Sequence, residues 1–203
     1  MGPVKLYSGI INQKDGEITM NTIKELKNEH EAVLLTIRIL DQITNQFKAG
    51  LTVEIKHLDQ ILEFLAVFVD KCHHSKEEKV LFPAMEEAGI PREGGPIGAM
   101  LYEHEQGRRL VQGLRNGVEG YRVGQENSIN EIIENAQNYG QLLTAHIDKE
   151  NNVLYVMAER VLSAEKMVEI EEAFIKIEEL EVGPDKHEEF HATLHALKNV
   201  YLS

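Results

Sequence analysis

A histidine and a glutamate four residues apart occur twice in this chain, as His73-His74-Ser75-Lys76-Glu77 and as His146-Ile147-Asp148-Lys149-Glu150. On an α-helix that spacing puts an imidazole and a carboxylate one turn apart on the same face, which is a metal-ligand arrangement. Each pair is followed at the same offset by a short apolar run, Val80-Leu81-Phe82 after the first and Val153-Leu154-Tyr155 after the second. More than a ligand pair is repeated, and the chain carries an internal duplication.

Hydrophobic periodicity extends the duplication to whole helices. From Asn21, with Asn21 or Thr22 as N-cap, Ile23, Leu26, Val33, Ile37, Leu40 and Phe47 recur at steps of three and four, and His30 takes the stripe position between Leu26 and Val33. Ala49-Gly50 ends this helix. A second is expected from about Glu54 to Glu87, with His73 and Glu77 on its stripe of Leu58, Leu62, Ala66, Val69, Val80 and Ala84. Pro83 should loosen its last turn. The third sets His104 among Ile97, Met100, Val111, Leu114 and Val118, and includes Gly107, which costs about 1 kcal/mol relative to Ala and is expected to allow a close backbone approach. The fourth, from about Ser128 to Leu162, carries Tyr139, Leu142, His146, Glu150, Val153 and Met157 on one face. Glu29-His30-Glu31 matches Glu103-His104-Glu105, so the repeated unit is a two-helix hairpin.

The expected fold class is all-α, an antiparallel up-down four-helix bundle over residues 20–162 followed by two additional C-terminal helices in 163–203. Ser163 caps the first of these, which packs Met167, Ile170, Phe174 and Ile177, and Gly183-Pro184 separates it from the second. The second packs Phe190, Leu194, Leu197 and Tyr201 and carries His187, His191 and His195 at every fourth position. Residues 1–19 lack this periodicity and are read as an N-terminal arm, in which Asp15-Gly16 could turn a small hairpin. A net charge of −13 argues against nucleic acid or an anionic membrane as partner, since both reward clustered Lys and Arg. Cys72 is the single cysteine, and the chain shows neither a signal-type apolar run nor a transmembrane stretch, so a cytoplasmic protein is expected.

His30, His73, Glu77, His104, His146 and Glu150 thus form one inward-facing set. An uncompensated carboxylate in a helical core costs several kcal/mol. A buried charge network could compensate two of them, but a metal does so more naturally and fixes the imidazoles as well. Six ligands are too many for one tetrahedral zinc and suit two octahedral ions bridged by the carboxylates. Mixed imidazole and carboxylate donors favour iron, and manganese is the other ion they admit. Of about twelve positions on two such ions, four histidines, two bridging carboxylates and one bridging oxygen leave about two open. Dioxygen, peroxide or nitric oxide would bind there. A ferritin-like centre needs Glu-x-x-His, and neither Glu54-Ile55-Lys56-His57 nor Glu188-Glu189-Phe190-His191 lies on the duplicated stripes.

With His on the first and third helices and His-x-x-x-Glu on the second and fourth, the chain resembles hemerythrin-like proteins of the bacterial and archaeal cation-binding type. The likeness covers roughly residues 20–162 and extends to the run from Cys72 to Pro83 and to Gly94-Gly95-Pro96-Ile97. It implies a non-heme di-iron site in a four-helix bundle, whose diferrous form reduces dioxygen to the peroxide level with one electron from each iron. Oxygen carriers of this family have a second His four residues after the first on the third ligand helix, where this chain has Arg108. Either a fifth nitrogen comes from elsewhere or the site is more open than a carrier's. His74 and a residue of the C-terminal helix are the candidates, but an ideal α-helix turns His74 about 100° from the ligand stripe, toward an outer-layer or surface position. His187, His191 and His195 are read as solvated histidines on a covering helix, His57 as a surface residue and Cys72 as a small buried one.

Three functions remain at this level. The chain is an enzyme that reduces dioxygen, peroxide or nitric oxide with electrons from an unidentified donor and with help from Arg108 or Tyr155; or it is a module that reversibly binds dioxygen or senses it or iron; or it is a metal-free scaffold, which the paired inward carboxylates disfavour.

Overall fold

The computed structural model describes residues 21–202, and the arm at 1–19 with its Asp15-Gly16 turn lies outside the described residues. Six helical rods account for nearly all of the described chain, and no strand occurs among the described residues. Helix α1 is Asn21–Lys48. Gly50, with φ of +74°, turns the chain out of it, a conformation that an L side chain rarely adopts.

Helix α2 runs without a break over residues 55–87, but it is not uniformly α. Ile55–Phe64 is α-helical, Leu65–His74 and Glu77–Leu81 are π-helical, and Phe82–Glu87 is α-helical again. Helix α3 is Pro96–Arg122, with proline at its first position, where a missing N–H costs nothing. Helix α4 spans residues 128–161 as Ser128–Lys149, the π turn Glu150–Leu154, and Tyr155–Val161. Helices α5 (Ala164–Glu181) and α6 (Pro184–Tyr201) complete the chain. Ser163 caps α5 as expected, its hydroxyl accepting the Lys166 N–H at 3.2 Å.

The principal packing is α3 along α4, with α1 against α4 and α6, and α5 against the π-helical part of α2. Full burial of each Leu or Phe contributes about 1.5–3 kcal/mol. The buried apolar residues form two clusters. One includes Val33, Leu40, Phe64, Phe68, Val69, Leu114 and Leu143, and the other Leu26, Leu81, Phe82, Met100, Leu154, Tyr155 and Phe174. His30 follows Leu26 and precedes Val33, His73 lies between Val69 and Leu81, and His146 between Leu143 and Leu154. The inward polar residues therefore make a layer between two dry cores. Among the described residues, no helix is long and apolar enough to cross a membrane.

Two local expectations need correction. Pro83 does not loosen the end of α2; it opens the α-helical segment that follows the π turn, where its missing N–H is tolerated. Gly107 does not mark a close approach, because a Cβ there would meet Leu143 and Tyr139 at ordinary distances of 3.7 and 3.8 Å. Tighter approaches on this helix lie at Gly113, where a Cβ would overlap the Asn135 side chain, and at Gly117, where it would sit 3.0 Å from the Ile132 backbone nitrogen, both on α4.

Candidate metal centre

The six inward residues of the duplicated stripes converge on one point, each at most 2% exposed. His30 and His73 face each other through their Nε2 atoms at 3.1 Å, and His104 and His146 do so at the same 3.1 Å. Glu150 lies between the pairs, with Oε2 3.2 Å from His30 Nε2 and Oε1 3.1 Å from His146 Nε2. Glu77 Oε2 is 3.6 Å from His73 Nε2 and 3.4 Å from His104 Nε2. Its other oxygen accepts the Tyr155 hydroxyl at 2.7 Å.

What orients the imidazoles is repeated as faithfully as the imidazoles themselves. His73 Nδ1 is held by Glu29 at 2.7 Å and His146 Nδ1 by Glu103 at 2.8 Å. Those glutamates in turn accept from Lys76 and Lys149, each the residue before an inward glutamate. Across the layer, His104 Nδ1 is held by Glu78 at 2.7 Å and His30 Nδ1 by Asn151 at 2.9 Å, each the residue after an inward glutamate. An acceptor on Nδ1 places the ring proton there and leaves the Nε2 lone pair directed at the centre. Sequence reasoning passed over these supports. The signal was the repeated Glu-His on α1 and α3 and the repeated Lys-Glu on α2 and α4.

The three π-helical stretches also lie at the site. The Phe82 N–H reaches back five residues to the Glu77 carbonyl, and the Tyr155 N–H reaches back five to that of Glu150. π turns are rare and concentrate at functional sites. No residue pattern announces them.

The donor set suits cations. Two donors about 2.1 Å from one ion and at right angles lie about 3 Å apart, close to the Nε2 separations here. Glu77 Oε2 and both oxygens of Glu150 are buried without a hydrogen bond from a protein donor, although such groups cost about 1–3 kcal/mol each when left unpaired. Without a cation, protons take over part of its task. Burial and the Glu150 charge push the Glu77 carboxyl well up, while the neighbouring His146, together with His104 and His30, holds Glu150 well down against its burial. His104 and His146 are raised by Glu150 against the opposing effect of burial. Groups of buried ligand atoms close enough to share an ion include His30 with His73 and Glu150, and Glu77 with His104 and Glu150.

A model of the hemerythrin HHE cation binding domain matches residues 21–158. The chain belongs to the hemerythrin HHE family. Curated relatives include the iron-sulfur cluster repair protein YtfE of Cronobacter sakazakii, 26% identical over 155 residues, which are 68% of this chain and 66% of that protein. The same-named protein of Escherichia coli O157:H7 is 26% identical over 64% of each chain, and that of Salmonella schwarzengrund 32% identical over 42% of this chain and 40% of its own. The matches thus span 40% to 66% of these relatives. No solved structure matches the chain.

The remaining histidines of this hemerythrin-family chain divide by place. His74 is not at the surface: it is 5% exposed and its ring stacks on His104 with centroids 3.9 Å apart. Arg108 does not point a nitrogen at the centre; its guanidinium binds Asp70 and Glu78, both at 2.7 Å. His57 is off the layer but partly buried, bonded to the Tyr201 hydroxyl at 2.8 Å. His187 and His191 border a cavity of about 340 Å³ with Glu25, Glu29, Phe68 and Glu178, and His195 is exposed. Cys72 is buried, which pushes its thiol up to about 12.

Proposed function

We propose that this chain is a non-heme di-iron protein whose centre binds and reduces dioxygen, peroxide or nitric oxide. In this reading His30 and His73 would hold one ion and His104 and His146 the other, with Glu77 and Glu150 supplying the carboxylates between them. Helices α1 to α4 form an antiparallel bundle around the layer, with α5 and α6 as a C-terminal addition, and the protein works in the cytoplasm. The observation that carries it is the set of three buried carboxylate oxygens without a donor, facing four imidazoles whose own N–H groups are committed elsewhere. Such a set is costly as a charge network and favourable as a shell around cations.

Iron, when bound, would supply one-electron steps and Lewis acidity. The protein's part is to hold and shield. Glu29, Glu78, Glu103 and Asn151 keep the imidazoles aimed, which typically matters 10–100-fold in metal affinity. The apolar clusters on either side exclude water, and the Tyr155 hydroxyl donates a proton to the hydrogen bond with Glu77 Oε1. The name of the curated relatives extends the proposal to iron-sulfur cluster repair, a task in which iron would be held and passed on.

The full burial of the six side chains favours a second reading, in which dioxygen is held reversibly or sensed. The two are separated by exposing the reduced, iron-loaded protein to air and following its visible spectrum and reductant. Turnover predicts rapid bleaching with steady reductant consumption. A persistent visible band that reverses under vacuum would sink it in favour of reversible binding.

A further inference from the structure

The two halves carry the same inward ligands but do not back them equally. Glu29 and Glu103 are counterparts in the repeat, and each holds a histidine Nδ1, on His73 at 2.7 Å and on His146 at 2.8 Å. Glu78 and Asn151 are counterparts too, yet His104 Nδ1 meets a carboxylate at 2.7 Å where His30 Nδ1 meets a neutral amide oxygen at 2.9 Å. Two carboxylates therefore back the pair His104 and His146, and one backs the pair His30 and His73. Arg108, whose counterpart is Leu34, pins Glu78 in place by donating to it and to Asp70, both at 2.7 Å.

A carboxylate on Nδ1 draws the ring proton toward itself and makes Nε2 a stronger electron donor than an amide oxygen does. Stronger donation favours the higher charge on a bound ion and so lowers its reduction potential. The surrounding charges leave this difference standing. Each backing carboxylate has one cation of its own, Lys76 on Glu29, Lys149 on Glu103 and Arg108 on Glu78. The carboxylates farther out are Asp70 beside Arg108, 38% exposed, and Glu25 and Glu178 beside Lys76, 31% and 37% exposed, and solvent screens all three. Tyr155 works in the same direction. Its hydroxyl draws charge from Glu77 Oε1 and lies 3.4 Å from His30 Nε2, beside the less strongly backed pair.

We propose that Glu78, set against Asn151, fixes the order in which two bound irons are oxidised, the ion of His104 and His146 first and that of His30 and His73 second. This rests on the di-iron reading above. Each oxidation passes one electron from one ferrous ion to the oxidant, dioxygen in that reading, and no bond of the protein breaks. Glu78 and Asn151 act through His104 and His30, whose Nδ1 atoms they hold.

The test is an anaerobic, mediated redox titration of the iron-loaded full chain, followed by its visible and electron paramagnetic resonance spectra, with iron counted first. The unmodified chain should show two one-electron midpoints. Glu78→Gln should raise the lower midpoint and Asn151→Asp should lower the upper one, each by at least about 59 mV, which is a tenfold change in ferric preference for a one-electron couple. Both variants thus narrow the gap, from opposite ends. A lower midpoint moved by Asn151→Asp and not by Glu78→Gln would reverse the order and overturn the proposal, as would midpoints that neither variant moves or a single two-electron step in the unmodified chain. If Glu78→Gln fails to hold two irons, Asn151→Asp decides alone, and an unmoved upper midpoint overturns the proposal. An unmodified chain unable to hold two irons would instead overturn the di-iron reading.

Discussion

Tyr155 donates its hydroxyl to Oε1 of Glu77 at 2.7 Å, while its counterpart in the other half, Phe82, has no hydroxyl to offer Glu150. Both rings are fully buried, so the donor is placed in one half only. Tyr155→Phe restores the symmetry and strips Oε1 of its partner. The metal-free variant should lose about 1–3 kcal/mol, the cost of a buried acceptor left unpaired. The iron-loaded variant should lose less, because a cation then engages the carboxylate. Chemical denaturation with and without iron checks this, and equal losses in the two states would contradict it.

The two supporting lysines share a position in the repeat but not an environment. Lys76 is fully buried among Glu25, Glu29 and Glu178, whereas the Lys149 side chain is 42% exposed beside Glu103. Removing one partner of a buried ion pair strands the others, so Lys76→Met should cost about 3–5 kcal/mol. Lys149→Met should cost at most about 1 kcal/mol. Urea unfolding of the two variants measures the difference, and similar losses would show that burial of Lys76 does not govern its role.

The repeat made most of this site legible in the sequence. His30 and His104 were found because each interrupts an aliphatic stripe, and His73, Glu77, His146 and Glu150 because their spacing recurs. Part of what the sequence leaves hidden departs from ideal α-helical geometry. His74 was placed 100° off the stripe on the assumption of an α-helix, and the π stretch moved it inward. The expectation that Pro83 loosens the last turn fails because the π turn before it, which leaves no residue signature, sets it at the start of a new α-helical segment. Lys76 and Glu29 were passed over since charged residues are rarely buried, and here each is buried by pairing with the other at 2.6 Å.

Three carboxylates around one ammonium cannot all ionise cheaply. Burial, together with Glu29 and Glu178, raises Glu25 to about 7 although Lys76 pulls it down. A carboxyl whose pKa rises on folding binds more protons in the native state between its unfolded and folded values. Its contribution to stability is then full below about pH 4.5 and is lost as pH rises through about 7. Metal-free protein should lose stability across that window, and Glu25→Gln should flatten the decline. Denaturation from pH 5 to 8 tests this, with parallel profiles as the contrary result.

His191, at the edge of the α6 cavity, and Glu150, at the centre of the layer, make opposite predictions for iron. His191→Ala should leave iron content nearly unchanged. Loss of half the iron from it would mean that the cavity and not the layer holds an ion.

The central claim is that six side chains from the two halves hold two ions together. Anaerobic titration of the metal-free chain with ferrous ion, scored by iron retained per chain, tests it most directly. The account predicts two irons on the unmodified chain and loss of most of the second in Glu150→Ala or Glu77→Ala. A single iron on the unmodified chain, or two retained after removal of either carboxylate, would contradict it.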